Sequence, residues 1–127
     1  LVGVEMMQYL ITFAFIVMDF VTGIVKGFAT HTFKSSVMRE GLYHKIGLIM
    51  IVALGVLVDY AQGYLDIGVT VPVAGAVCAY ICLMEIGSGI ENICKINPEI
   101  LPEKVTSLFL GLKSSGESSD KSNGGEE

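Results

Sequence analysis

MDFVTGIVKGFATHTFKSSVMREGLYHK, residues Met18 to Lys45, is the stretch on which the fold turns. It starts inside an apolar run that carries Asp19, Thr22 and Lys26, crosses a basic polar segment, and brings Lys45 to the foot of a second apolar run. Ionisable residues inside a membrane span are functional candidates by default. A basic loop between two spans fixes which side of the membrane is which. The rest of the chain either spans a bilayer or trails behind it.

The composition agrees. Of the 127 residues 52% are hydrophobic and 17% charged, with a mean hydropathy of +0.64. Soluble domains carry about 25% charged residues, and here the charges also avoid three long windows. This is the pattern of an integral membrane protein, with lipid in place of most of a core. The net charge of −5 is partly a tail effect, because Lys113 to Glu127 holds two lysines against four acids. An acidic balance gives no reason to expect a nucleic-acid partner. Glu5, not a basic segment, precedes the first apolar run, so no cleaved signal peptide is expected.

The first span runs from about Met6 to Phe28, long enough for the roughly 20 residues that cross the hydrocarbon. Its polar positions are Gln8, Thr12, Asp19, Thr22 and Lys26. At about 100° per residue all five lie within roughly 40° of one line. A charge facing lipid at the bilayer centre costs about 2.5–3.5 kcal/mol on insertion scales, so this stripe should face another helix or water. Two readings stay open. Asp19 and Lys26 glue helices together, with Lys26 reaching to the headgroups, or the stripe lines an aqueous lesion.

Residues 29–44 read as the connecting loop, with His31, Lys34, Arg39 and His44 against the single acid Glu40. The positive-inside rule puts this loop in the cytoplasm. Ser35 and Ser36 are placed to cap a short helix leading into Gly41. The two histidines have no acid or cysteine arrayed around them and are loop residues, not metal ligands.

The second span runs from about Ile46 to Tyr64, with Gly55, Asp59, Gln62 and Gly63 at helical spacing near its far end. Small residues let helices approach, and a polar residue among them bonds across the contact; Asp59 is also near enough to the end to sit at the interface. A hairpin with Asp66 as its one charge leads to the third span, about Val69 to Ile93, with Pro72 in its first turn. Ala74, Cys78, Cys82, Glu85, Gly89 and Asn92 form one small and polar face of that span. Three cysteines, an odd count, argue against a disulfide framework; Cys78 and Cys82 read as small packing residues. Glu85 invites a basic partner from a neighbouring helix, which the sequence does not choose.

After Lys95, Pro98 and Pro102 break the span. Val105, Leu108, Phe109 and Leu112 then repeat as the stripe of a short amphipathic helix, within 96–113, that lies on the membrane face or on a partner. Residues 114–127 are Ser, Gly, Asp, Glu, Lys and Asn only and are expected to be disordered. The expected architecture is an all-α membrane protein: a three-span unit over residues 1–95, N-terminus outside and C-terminus inside, then a cytoplasmic surface helix and a polar tail. No phosphate-binding loop, serine nucleophile motif or metal-ligand spacing occurs, so neither enzyme activity nor a cofactor is expected.

Asp19-Phe20-x-Thr22-Gly23-x-x-Lys26-Gly27, then Ser35-Ser36-x-Met38-Arg39-x-Gly41-Leu42-x-x-Lys45, then a span with Asp59, resembles the phage holins of the toxin-secretion and phage-lysis family, which includes the holin-like protein beside large clostridial toxin genes. The resemblance covers about Met6 to Leu112. Its specific part is the run Asp19, Thr22, Gly23, Lys26 with Gly41 and Lys45 approaching span two. It implies a homo-oligomer in the bacterial inner membrane that opens non-specific lesions at a set time, through which an endolysin, or in some relatives a toxin, reaches the outside. Three spans with N-out and C-in are similar to the first topological class of holins. Many holins end in a strongly basic tail, whereas this one is mixed and net acidic. Many also use two starts, and Met6 and Met7 stand where an internal start would fall.

The expected mechanism has monomers diffusing with polar faces paired. Above a critical density the Gly55, Gly63, Ala74, Cys78, Cys82 and Gly89 faces pack into rafts, and the Gln8–Lys26 stripe turns toward water, with Asp59 and Glu85 as further lining or pairing candidates. Two other classes fit the same residues. Small multidrug exporters also bury a carboxylate in span one, but normally have four spans and a less charged first loop. A holin antagonist would share the whole pattern and be harmless when expressed alone.

Overall fold

The computed structural model describes residues 2–68, 70–105 and 107–108. Among them the regular structure is all helical: α1 (Val2–Ala29), α2 (Ser35–Tyr64) and α3 (Val73–Ile96), each long and apolar enough to cross a membrane. α3 is the hub. It packs along both α1 and α2, while α1 and α2 touch each other little.

α1 ends where its geometry reverses. The His31 amide bonds the Phe28 carbonyl (3.4 Å) and the Thr32 amide bonds the Gly27 carbonyl (3.0 Å), while His31 takes a left-handed φ of 56°. This double bond around a left-handed residue is the Schellman stop, which satisfies the last carbonyls of a helix. Phe33 then folds back and stacks on Phe28, ring centroids 4.4 Å apart. Gly27 leaves room for it, since a Cβ there would stand 3.3 Å from the Phe33 ring.

Three helix starts differ from the expected ones, the first being that of α1, which begins at Val2 and not at about Met6. The loop is 30–34, not 29–44, because α2 begins at Ser35 and runs unbroken into the apolar run. Hydropathy marks where a helix meets lipid, not where it starts, and Val37 to Lys45 contains no proline and mostly adequate helix formers. Lys34 takes the cap position, without a side-chain cap bond, and Ser35 and Ser36 fall inside the first turn. α3 begins at Val73, behind Pro72, instead of at Val69, which lies outside the described residues. Proline pushes its predecessor away from helical geometry and suits a helix start.

The packing is inverted relative to a soluble protein. Leu10, Phe13, Leu54, Leu57 and Leu83 are all exposed, and among the described residues the buried apolar set is only Ile16, Leu48, Ala74, Cys78 and Ile81. Buried with them are Thr12, Asp19, Lys45, Glu85 and Asn92. With lipid as the solvent, burying apolar side chains gains little, and helix association relies on close packing and polar contacts.

Beyond α3, residues 103–105 and 107–108 are helical, with the Val105 amide bonded to the Pro102 carbonyl at 2.9 Å. Phe109 and Leu112 of the expected amphipathic stripe, and the tail 114–127, lie outside the described residues.

Candidate functional site

Each of the three helices contributes one charge to a common point. Asp19 lies about ten residues from the end of α1, Lys45 about ten from the start of α2, and Glu85 about eleven from the end of α3. At 1.5 Å per residue all three stand roughly 15 Å in from the same end of the bundle. The antiparallel course of the helices brings them level. The Lys45 ammonium donates to Asp19 Oδ2 and to Glu85 Oε2. The three residues are 7, 9 and 3% exposed, so the ion pairs are withdrawn from solvent.

Asn92, two turns beyond Glu85 on α3, completes the site. Its Nδ2 donates to Asp19 Oδ1 at 3.2 Å and to Thr22 Oγ1 at 3.1 Å, and Thr22 Oγ1 donates to the Asp19 carbonyl at 2.9 Å. Both Asp19 carboxylate oxygens are therefore occupied. No buried side-chain nitrogen or oxygen among the described residues lacks a partner. A buried charge in this environment is tolerable only when paired and hydrogen-bonded. Two carboxylates share one ammonium, so the trio depends on Lys45 more than on either acid.

The polar stripe of the first span thus turns to α3 within a single chain. Thr12 is buried, donates to the Gln8 carbonyl at 2.8 Å and lies 3.5 Å from Cys82 Sγ. The half-buried Gln8 faces Gly75, with its Oε1 3.6 Å from where a Cβ would stand. Gly23 places Asn92 Nδ2 at 3.7 Å from its own missing Cβ. Lys26 is the exception: it is half-exposed, makes no ion pair among the described residues, and lines a crevice toward the loop.

Asp59 belongs to a different place. It accepts the amides of Val73 (2.8 Å) and Ala74 (3.0 Å), the first turn of α3. One turn on, Gln62 Oε1 accepts the Val71 amide at 2.6 Å and its Nε2 donates to the Val71 carbonyl at 3.0 Å. The first amides of a helix have no partner within it, and a carboxylate there also meets the positive end of the helix dipole. Asp59 therefore caps α3 from a neighbouring helix. Asp59→Ala is expected to cost about 1–2 kcal/mol, the scale of a lost cap, read by denaturant titration in micelles; a change below a few tenths would remove the cap from the account.

The glycines divide. Gly55 lets α2 lie against α3, with a Cβ there only 3.1 Å from Ala74 Cα. Gly63 and Gly89, expected to play the same part, have nothing within 4 Å of a Cβ. α2 meets α3 closely at the Gly55–Ala74 level, and toward the loop end the helices leave crevices beside Gly41 and Ser88. Ala74 is buried at this seam, Cys78 is buried one turn further along α3, and Cys82 is half-buried beside Thr12.

In the sequence Lys45 stands at the foot of the second apolar run and Asn92 on the small and polar face of the third span, and nothing there pairs either of them with Asp19. The available signal was an unpaired lysine at the foot of an apolar run, level with two acids in the adjoining spans.

Among known proteins, a family model for bacteriophage holins matches residues 1–114. No curated protein and no solved structure matches. That match takes in all three membrane-length helices and every residue of the buried polar site, and on it the chain belongs to the bacteriophage holin family.

Proposed function

We propose that this protein is a holin: it oligomerises in the bacterial inner membrane and opens non-specific lesions that release an endolysin, or, as in the toxin-secretion relatives it resembles, a toxin. The family is one of membrane pore-formers without enzymatic activity. The observation that carries the mechanism is the burial of the Asp19–Lys45–Glu85 trio inside one chain. It describes a protomer with its polar stripe closed on α3. Lesion formation then requires the stripe to exchange α3 for water, and water removes the desolvation cost that the pairs offset in the closed form.

Charge distribution supports an orientation with the N-terminus outside. The end of the bundle with the 30–34 connection carries Lys26, Lys34, Arg39 and Lys95, whereas Asp59 and Asp66 lie toward the other end. Basic ends stay in the cytoplasm.

The test is inducible expression in a bacterium, following turbidity and membrane potential with and without a cytoplasmic endolysin. A delayed, sudden depolarisation, with lysis only when endolysin is present, is expected. Sustained growth and polarisation at high membrane expression would overturn the holin reading and leave an antagonist or a small non-lytic transporter. In the same assay Asp19→Asn is expected to shift the lysis time more than Lys26→Met, because Asp19 is bonded to α2 and α3 while Lys26 is bonded to neither. Equal shifts, or none, would show that the closed trio does not set the timing.

A further inference from the structure

A crevice of about 640 Å³ lies between the loop-side part of α1 from Asp19 onward, the 30–34 connection and the first turns of α2, with Ser88 and Asn92 of α3 at its floor. Its size is that of a small-molecule site, typically 300–1,000 Å³. Phe20, Ile24, Val37 and Met38 make its walls apolar. Lys26, His31 and Lys34 stand at its loop end, and none of them has an ion-pair partner among the described residues. The one acid lining it is Asp19, whose oxygens are already held by Lys45 and Asn92.

We propose that this crevice binds one anionic phospholipid, with its phosphate between Lys26 and Lys34 and an acyl chain along Ile24, Val37 and Met38. In a bilayer an apolar gap between two spans is filled by a lipid tail more favourably than by water. Unpaired lysines at the membrane surface select an anionic headgroup, at roughly fivefold in affinity for each. Basic pockets between spans are a recurrent way of holding such headgroups. The lipid would bridge α1 and α2, the pair of helices that touch least directly. The proposal rests on the helices spanning a bilayer and not on lesion formation, so its test uses no lysis readout.

The full chain is purified in micelles containing equal amounts of phosphatidylglycerol and phosphatidylcholine with the same acyl chains, and retained lipid is counted by native mass spectrometry. The wild type is expected to retain phosphatidylglycerol over phosphatidylcholine by on the order of tenfold or more, from two lysines. K26Q/K34Q should bring the ratio near one, K26R/K34R should keep it, and K95Q, which removes a lysine at the same end of the bundle that is paired with Glu91 and does not line the crevice, should leave it unchanged. If the double variant loses helix by circular dichroism, the exposed Lys34→Gln alone decides, with a severalfold fall expected. An even ratio in the wild type, an unchanged ratio in the glutamine variants or an equal loss in K95Q would overturn the proposal. Millimolar inorganic phosphate should not displace the lipid; displacement would mark a site for free anions and overturn it as well.

Discussion

Lys45→Met is expected to destabilise the three-helix unit by about 3–5 kcal/mol, the scale on which a buried ion pair fails when one partner is removed. The reason is particular to this site. Methionine fills much of the lysine's volume, so packing is nearly kept. Asp19 and Glu85 lose the one group that bonds both of them and are left as two acids facing each other away from solvent. Asn92 still serves Asp19; Glu85 has no second side-chain donor among the described residues. Denaturant titration in micelles, followed by circular dichroism, measures the loss. Adding Asp19→Asn and Glu85→Gln to Lys45→Met should recover most of it, because replacing all members of a buried charged cluster is often close to neutral. A single variant within 1 kcal/mol of wild type would mean that the trio does not hold the helices together.

Gly55→Leu is the second large effect, expected at about 1–3 kcal/mol for overpacking. At this level the α3 backbone itself is the neighbour, with Ala74 Cα 3.1 Å and Ala74 N 3.4 Å from a Cβ on residue 55. Backbone does not swing aside as a side chain does, so the two helices must separate. Asp59 sits one turn further along α2 and holds the amides of Val73 and Ala74, so the separation also strains that cap. A Gly55→Leu/Asp59→Ala pair should therefore cost less than the two single changes added together, since neighbouring sites that share a partner are not independent. Full additivity would place the cap and the close approach in separate structural units. Gly63→Leu, with open space around it, is the matched control and should change little.

Much of the protein was legible without coordinates. Three helices, their order and the apolar faces follow from hydropathy and from the 3.6-residue period, because lipid permits no unpaired backbone and leaves few structures that span it. The stripe from Gln8 to Lys26 and the small polar face of α3 were readable for the same reason: a polar residue in such a helix has to find a partner. The start of α2 at Ser35 was not readable, since its first turns are polar and look like a loop while bonding like a helix. What only the tertiary structure decided is partnership. Helical periodicity puts Asp19, Glu85 and Lys45 on faces, but it does not say which faces meet or at what level, and that depends on loop lengths and on the close approach at Gly55. Gly55 and Gly63 are the same residue on the same helix, yet one touches a backbone and the other touches nothing. Asp19 and Asp59 are likewise both acids in apolar helices, and one bonds a lysine while the other caps a helix. A sequence encodes the requirement that a buried charge be satisfied; the distances between helices determine what satisfies it.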